Sequence, residues 1–382
     1  MKRPKAGIYV HIPYCKQACS YCNFYFSTNT KSRKDIVNAI CTEISLRSAE
    51  WNGFDFETIY FGGGTPSMLS TKELSTVLDE LHKHLHIKDV CEFTLECNPD
   101  DIKPTKLKDW KGLHIDRLSI GIQSFNDKAL KLLNRSHSAM GAQKAIEAAY
   151  EAGFEKLTAD LIFGIPGRST EQLEEELKIL LSYQLGHFSA YSLTIEPKTL
   201  LAHQIANGKI DPVSDDIQLE QFELVGDLAL DAGFQRYEIS NYAIPGNEAV
   251  HNSNYWTGKA YLGIGPSAHS FKEHSRRWNV SSNHSYLKSI QENRAFWEDE
   301  FLTIEDRFNE YLMTRLRTHW GLDLKMMQRE YPNHARIIER QLHGFLQEGL
   351  LERFGNSIKL SKKGLFLSDH ITSELMILED ED

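Results

Sequence analysis

Cys15, Cys19 and Cys22 stand in the stretch HIPYCKQACSYCNFYF with the spacing C-x3-C-x2-C. Thiolates are soft ligands, and three of them within eight residues make a metal-binding loop. Structural zinc takes four closed ligands, so zinc here needs a fourth from far along the chain, such as Cys91, Cys97 or a histidine. A [4Fe–4S] cluster is normally held by four cysteines, and three leave one iron open to a substrate or cofactor. The aromatic neighbours Tyr14, Tyr21, Phe24, Tyr25 and Phe26 suit a cluster that must be kept from water, which is one control on its potential. On spacing alone both metals stay open.

Other residues that can do chemistry recur at the ends of short β-rich runs. IYVHIP (8–13) leads into the cysteines, and TIYFGGGTP (58–66) ends in Gly62-Gly63-Gly64-Thr65, where backbone can approach a ligand closely. EFTLECNP (92–99) carries Glu96, and RLSIGIQSF (117–125) carries Gln123, with Arg135 following in LNR. KLTADLIFGIP (156–166) carries Asp160, and FSAYSLTIEP (188–197) closes the series. Helical patterns separate the runs. Ser70 with Glu73, and Ser169 with Gln172, read as capping boxes ahead of leucine stripes. Ile36, Val37, Ile40, Cys41 and Ile44 form another stripe, which makes Cys41 a small core residue.

Six strand–helix units in series predict a parallel sheet with right-handed crossovers and helices outside. Eight units close a full barrel, so six predict a partial (β/α)6 TIM-like barrel of the α/β class, with a doubly wound open sheet as the alternative. Either fold gathers its chemistry at the C-terminal strand ends, where these polar and glycine residues lie. We divide the chain into the barrel (1–200), an extension (201–300) with one helix near 215–232, and a C-terminal α+β domain (301–382). In the last, two helices, a two-stranded wing and a final helix follow the order of a winged helix. That fold often binds DNA, but the acidic end ELMILEDED and the absence of a basic stripe favour packing or interaction.

The composition is that of an ordinary globular chain, 41% apolar and 25% charged, with a net charge of −10. This balance disfavours nucleic acid as a partner. Six cysteines in 382 residues do not read as a disulfide framework. No eighteen-residue apolar run spans a membrane, and the basic N-terminus lacks the apolar core of a signal peptide. The expectation is a cytoplasmic protein, with peripheral contact at a membrane surface left open.

Taken together, the cysteine spacing after the first strand and the motifs on the strand ends resemble radical S-adenosylmethionine (SAM) enzymes. The resemblance covers nearly the whole chain. VHIPYC, FGGGTP, ECNP, GIQSF, LNR and DLIFGIPG are similar to the branch holding oxygen-independent coproporphyrinogen III dehydrogenase and the HemW-type heme chaperones. It implies that Cys15, Cys19 and Cys22 hold a [4Fe–4S] cluster whose fourth iron is chelated by SAM. It further implies that Tyr9, Tyr21, Gly63, Gly64, Thr65, Glu96, Gln123, Arg135 and Asp160 surround SAM. Arg135 would face its carboxylate, and Glu96 its ribose or ammonium. Asp160 would hold ribose or orient Arg135.

Within that branch three features point to the chaperones. Asn23 and Phe24 stand where the dehydrogenase continues to a fourth cysteine. The first strand begins at once, without the dehydrogenase's N-terminal arm. His251-Asn252-Ser253-Asn254-Tyr255-Trp256 is similar to the chaperones' HNxxYW motif, with His251 and Tyr255 as heme-ligand candidates. The alternative for this stretch is a polar loop that packs Tyr255 and Trp256 inward. GIGPSAHS (263–270) lacks the βαβ setting of a dinucleotide site, and the resemblance implies that this segment lies near the cofactor mouth. The implied function is heme delivery to acceptors such as respiratory cytochromes, with no catalytic residue assigned. Oxidative decarboxylation of coproporphyrinogen III is the alternative, and a heme- or redox-sensing winged-helix regulator the third.

Overall fold

The computed structural model describes residues 3–377, so residues 378–382 of the acidic end lie outside the described residues. β1 (Lys5–Ile12), β2 (Asp55–Gly63), β3 (Ile87–Cys97), β4 (Arg117–Gln123), β5 (Lys156–Phe163) and β6 (His187–Ser192) pair side by side in parallel. Helices fill each connection, including Arg33–Arg47, Thr71–His84, Ala139–Glu151 and Thr170–Ser182. Both capping boxes form at Ser70–Glu73 and Ser169–Gln172, each cap worth about 1 kcal/mol.

The strands alternate strictly. Ile8 and Val10, Ile59 and Phe61, Phe93 and Leu95, Leu118 and Ile120, Leu157 and Ala159, and Phe188 and Ala190 all enter the main core. Each large apolar side chain so buried contributes about 1.5–3 kcal/mol. The residues between them are mostly polar. Tyr9, Tyr60, Thr94, Glu96, Arg117, Ser119, Thr158, Asp160, His187 and Ser189 line a single cavity of ≈ 230 Å³. Six flat strands would spread roughly 24 Å at the usual spacing. Meeting around so small a space requires the sheet to curl. Unlike a closed barrel, whose interior is packed with branched aliphatics, this one has a polar lumen.

The sheet continues past the six units in both directions. β7 (Gln235–Arg236) and β8 (Asn241–Ala243) add antiparallel strands beyond β6. β9 (Ala260–Ile264) lies parallel to β1 on its other side. β10 (His269–Lys272), β11 (Ser275–Asn279) and β12 (Trp297–Phe301) follow antiparallel. Residues 201–300 are therefore built onto both edges of the same sheet, and Phe222, Tyr242, Leu262 and Tyr286 share its core. A buried pair on the first helix fastens the new edge. Glu43 accepts from the Gly265 N–H (2.8 Å), the Tyr286 hydroxyl (2.6 Å) and Asn279 Nδ2 (2.7 Å), while Arg47 donates to the Gly263 carbonyl (2.7 Å).

The C-terminal unit has its own core around Phe308, Leu312, Leu342 and Ile358. Helices Ile304–Leu316 and Pro332–Gln347 pack on a small antiparallel sheet, β13 (Leu322–Asp323), β14 (Leu351–Phe354) and β15 (Ser357–Leu360), in the order β13-β15-β14. Among the described residues no helix is long and apolar enough to cross a membrane.

Candidate functional site

The cysteine loop leaves β1 and is pinned at many points. A bridge joins Tyr14 to Ser27 at its neck, with the Cys15 N–H donating to the Ser27 carbonyl (3.1 Å). Ser20 donates its N–H to the Leu133 carbonyl (3.1 Å) and accepts from the Leu201 N–H (2.8 Å). Gln17 donates to Asn134 (2.5 Å), which donates in turn to the Ala18 carbonyl (2.6 Å). All three thiols are half-buried. Burial pushes the Cys15 thiol up to about 11 against a bond from Thr65, and burial raises Cys22 as well. Arg135 opposes this, with Nη1 3.3 Å from Cys19 Sγ and Nη2 held by Asn98 Oδ1 (2.6 Å) and the Gly121 carbonyl (2.7 Å). Its Nε is buried without a partner.

The glycines at the end of β2 are required by packing. A Cβ on Gly64 would stand 2.6 Å from the Tyr14 carbonyl oxygen, and one on Gly63, at φ +104°, 2.5 Å from the His11 ring. The Gly63 N–H donates to Glu96 (3.1 Å), which also accepts from the Tyr60 hydroxyl (2.7 Å). Burial carries the Glu96 carboxyl up to about 7, with nearby Asp160 adding to the effect. Burial raises Asp160 too, although Ser119 donates to it (3.1 Å). Two buried carboxyls in one lumen, both held toward the neutral form, are a receptor for positive charge.

Above them opens a cavity of ≈ 1030 Å³ at the strand ends. Of the residues expected around a nucleotide, Tyr9, Tyr21, Gly63, Glu96, Gln123 and Asp160 line it, together with Cys22. Gln123 sits at φ +66°, after a register shift that breaks β4 from β5. Gly64, Thr65 and Arg135 pack instead around the cysteine loop beside it. Arg135 lies against Cys19 and Asn98, and the hydrogen bonds of Asp160 run to serines. Among the described residues no three His, Cys, Asp or Glu side chains converge on one ion-sized point. The loop suits a larger polynuclear group, with its cationic Arg135 beside Cys19. The carboxyls suit a ligand bearing an ammonium and a sulfonium.

The stretch 250–256 is a helix rather than a loop. Its N-terminus has no cap of its own. Glu92 of β3 supplies one, accepting from the Val250 N–H (2.8 Å) and the His251 N–H (2.9 Å). His251 thereby enters the lumen. It shares hydrogen bonds with Thr58 at Nδ1 (2.8 Å) and with the Tyr255 hydroxyl at Nε2 (2.9 Å), and stacks on Tyr60 at 5.1 Å. Burial lowers it to about 3, so it is neutral. Both ring nitrogens of His251, a heme-ligand candidate, have hydrogen-bond partners inside the barrel. Tyr255 reaches the outside: it lines the strand-end cavity and also a cleft of ≈ 490 Å³ facing the C-terminal unit.

Sequence reading missed His11, Tyr191, Tyr261 and His269, all at the cavity. The signal for His11 and Tyr191 was the two-residue alternation, which puts every second residue of β1 and β6 on the lumen side. For His269 the resemblance places its segment GIGPSAHS near the cofactor mouth, but nothing local singles out the residue, since its place depends on β9 joining a strand some 250 residues upstream.

Comparisons with known proteins agree with this geometry. Residues 9–180 match the radical SAM superfamily model, and residues 302–367 the HemN C-terminal domain. The chain is similar to the heme chaperone HemW of Bacillus subtilis, 32% identical over 95% of this chain and 97% of that one. It is 36% identical to the heme chaperone HemW of Escherichia coli over 70% of this chain and 71% of that one. Among solved structures, coproporphyrinogen III oxidase (HemN) of Escherichia coli superposes with a TM-score of 0.85 at 23% identity, over 98% of this chain and 90% of that one. That likeness establishes the fold.

Proposed function

This chain belongs to the HemW family of the radical SAM superfamily, and from that premise we propose that it is a heme chaperone carrying a [4Fe–4S] cluster and SAM. Cys15, Cys19 and Cys22 hold the cluster. Tyr9, Tyr21, Gly63, Gly64, Thr65, Glu96, Gln123, Arg135 and Asp160 form the surroundings of SAM. When bound, the pair supplies one-electron chemistry at a sulfonium. The chain's own residues do the rest. Arg135 donates to the sulfur of Cys19, and Glu96 and Asp160 hold positive charge. Buried Tyr14 and half-buried Tyr21 back the loop, while Phe24 and Tyr25 are exposed.

One observation carries the choice of chaperone over dehydrogenase: the chain is 32% identical to a heme chaperone HemW over nearly the whole length of both. His251, Tyr60 and Tyr255 fill the barrel floor and leave ≈ 230 Å³ beneath the strand-end cavity. That is below the roughly 300–1000 Å³ of pockets for drug-sized ligands, so a tetrapyrrole has no room in the lumen itself. It belongs on the outer side of the motif helix, where Tyr255 and Trp256 emerge. Heme acceptors such as respiratory cytochromes, and a cytoplasmic site of action, follow from the same reading.

The test is anaerobic reconstitution with iron and sulfide, then hemin titration and a coproporphyrinogen assay on one sample. The chaperone reading expects hemin uptake and no product. Product above a no-protein control would overturn it in favour of the dehydrogenase.

A further inference from the structure

We propose that heme sits in the ≈ 490 Å³ cleft between the motif helix and the C-terminal unit, with its carboxylates on Arg307 and Arg315. This rests on the chain being a heme carrier, and adds where the heme goes and what reads it. The motif helix splits its residues between two faces. His251 points into the barrel and Trp256 into the cleft, while Asn252 and Tyr255 border both. Opposite them stands the helix Ile304–Leu316 with Tyr311 and Met313, and Tyr331 and Met326 complete that wall. Tyr261 and Phe271 of the barrel edge make the base. A planar apolar ring suits aromatic walls on both sides.

Charge in the cleft fits the rim of such a ring. Arg276 pairs with Glu310 at 2.6 Å. Arg307 and Arg315 also line the cleft, and neither forms an ion pair among the described residues. Glu273 is the remaining carboxylate there. Two half-buried guanidiniums without counterions, in a chain of net charge −10, are complementary to a ligand with two carboxylates. Unsatisfied donors add to this. Trp256 Nε1 and Arg276 Nε are buried with no partner. His274 also lines the cleft, with Nε2 3.3 Å from Arg307 Nη1, and Met313 and Met326 bring thioethers, which are common heme ligands, to the same space.

The experiment compares hemin with hemin dimethyl ester, whose carboxylates are masked, by titrating full-length reconstituted protein and following the Soret band. Wild type should bind hemin at least tenfold more tightly than the ester. The double variant R307E/R315E should lose that preference and bind hemin at least tenfold more weakly, with its thermal midpoint and iron content unchanged. If wild type takes up no hemin, the heme-carrier reading fails. If wild type takes up hemin but shows no preference over the ester, the cleft assignment fails and the carrier reading stands. The ester comparison needs no variant, so it decides even if R307E/R315E misfolds. A well-folded double variant with wild-type hemin affinity would also overturn the cleft.

Discussion

The strand-end cavity and the cleft are separated by little more than Tyr255 and Tyr261, whose rings meet edge-on at 4.6 Å and line both spaces. The two sides are made differently. The cavity is built from contiguous motifs on strand ends, with groups so buried that their protonation is shifted: Glu96 up to about 7, His11 down to about 4. The cleft is assembled from residues 252–276 and 307–331, with half-buried arginines at its edge. Low dielectric and fixed dipoles suit the handling of charge and electrons. An adaptable aromatic slot with methionines suits a cargo that must be released. A site that holds tightly and a site that lets go can share a wall when chemistry and traffic are kept on opposite faces of one helix.

The sharpest break of this comparison is removal of the cysteines. C15A/C19A/C22A should lose iron–sulfur absorbance altogether after anaerobic reconstitution, yet bind hemin within about threefold of wild type. Loss of hemin uptake along with the cluster would mean that the two spaces work as one. Next in size is the pH dependence of SAM binding. A cationic ligand favours the Glu96 carboxylate, and below pH 7 a proton must first leave. Affinity for SAM should therefore weaken by up to tenfold per pH unit as the pH falls from 7 to 5, measured by calorimetry. E96Q should bind weakly at every pH with a flat profile. Its ligand-free form should gain stability, because the folded wild type binds the extra proton between the ordinary glutamate range and 7. Its stability thus declines as pH rises through that window. At pH 8 the gain in E96Q is up to about 3 kcal/mol.

Substituting His251 probes the shared wall. H251N loses bonds to Thr58 and Tyr255 and should cost roughly 2–3 kcal/mol in urea unfolding at pH 7.5. The sign reverses the Glu96 case: His251 is held neutral down to about 3, so its contribution is full above the ordinary histidine pKa and fades as pH falls below it. The gap between wild type and H251N should narrow from pH 7.5 to 5. An unchanged gap would mean that the imidazole is not buried in solution. The smallest effect is a control at a helix cap whose side-chain partner is Glu73. S70A breaks the capping box before the helix Thr71–His84 and should cost about 1 kcal/mol, with hemin and SAM affinities unmoved.

Much of the cavity could be read in advance because its parts are short and local. Each motif pairs a strand end with a glycine or polar residue, and the two capping boxes mark the helices between. The lumen's polarity was also written into β3 and β4, in the alternation of Glu92, Thr94 and Glu96 and of Arg117 and Ser119, but a reading by strand ends passes over it. β9 escaped notice because five residues containing Gly263 carry too little pattern, and because a Cβ there would lie 1.9 Å from the His269 carbonyl oxygen, a constraint only the folded edge imposes. The inward turn of His251 depends on Glu92 capping its helix from 158 positions away, and the cleft depends on two units meeting. Neither leaves a local trace.

The place of β1 has a consequence for how the protein is made. Of the described strands it leaves the ribosome first, yet it is interior, flanked by β2 and by β9. At translation speeds of roughly 5–20 residues per second, the stretch of some 250 residues between β1 and β9 takes about 12–50 s to synthesise. Through that interval the nascent chain holds a parallel sheet with a bare hydrogen-bonding edge next to three reduced thiols. Helpers that shield this edge during translation would therefore also guard the thiols from premature metal or oxygen.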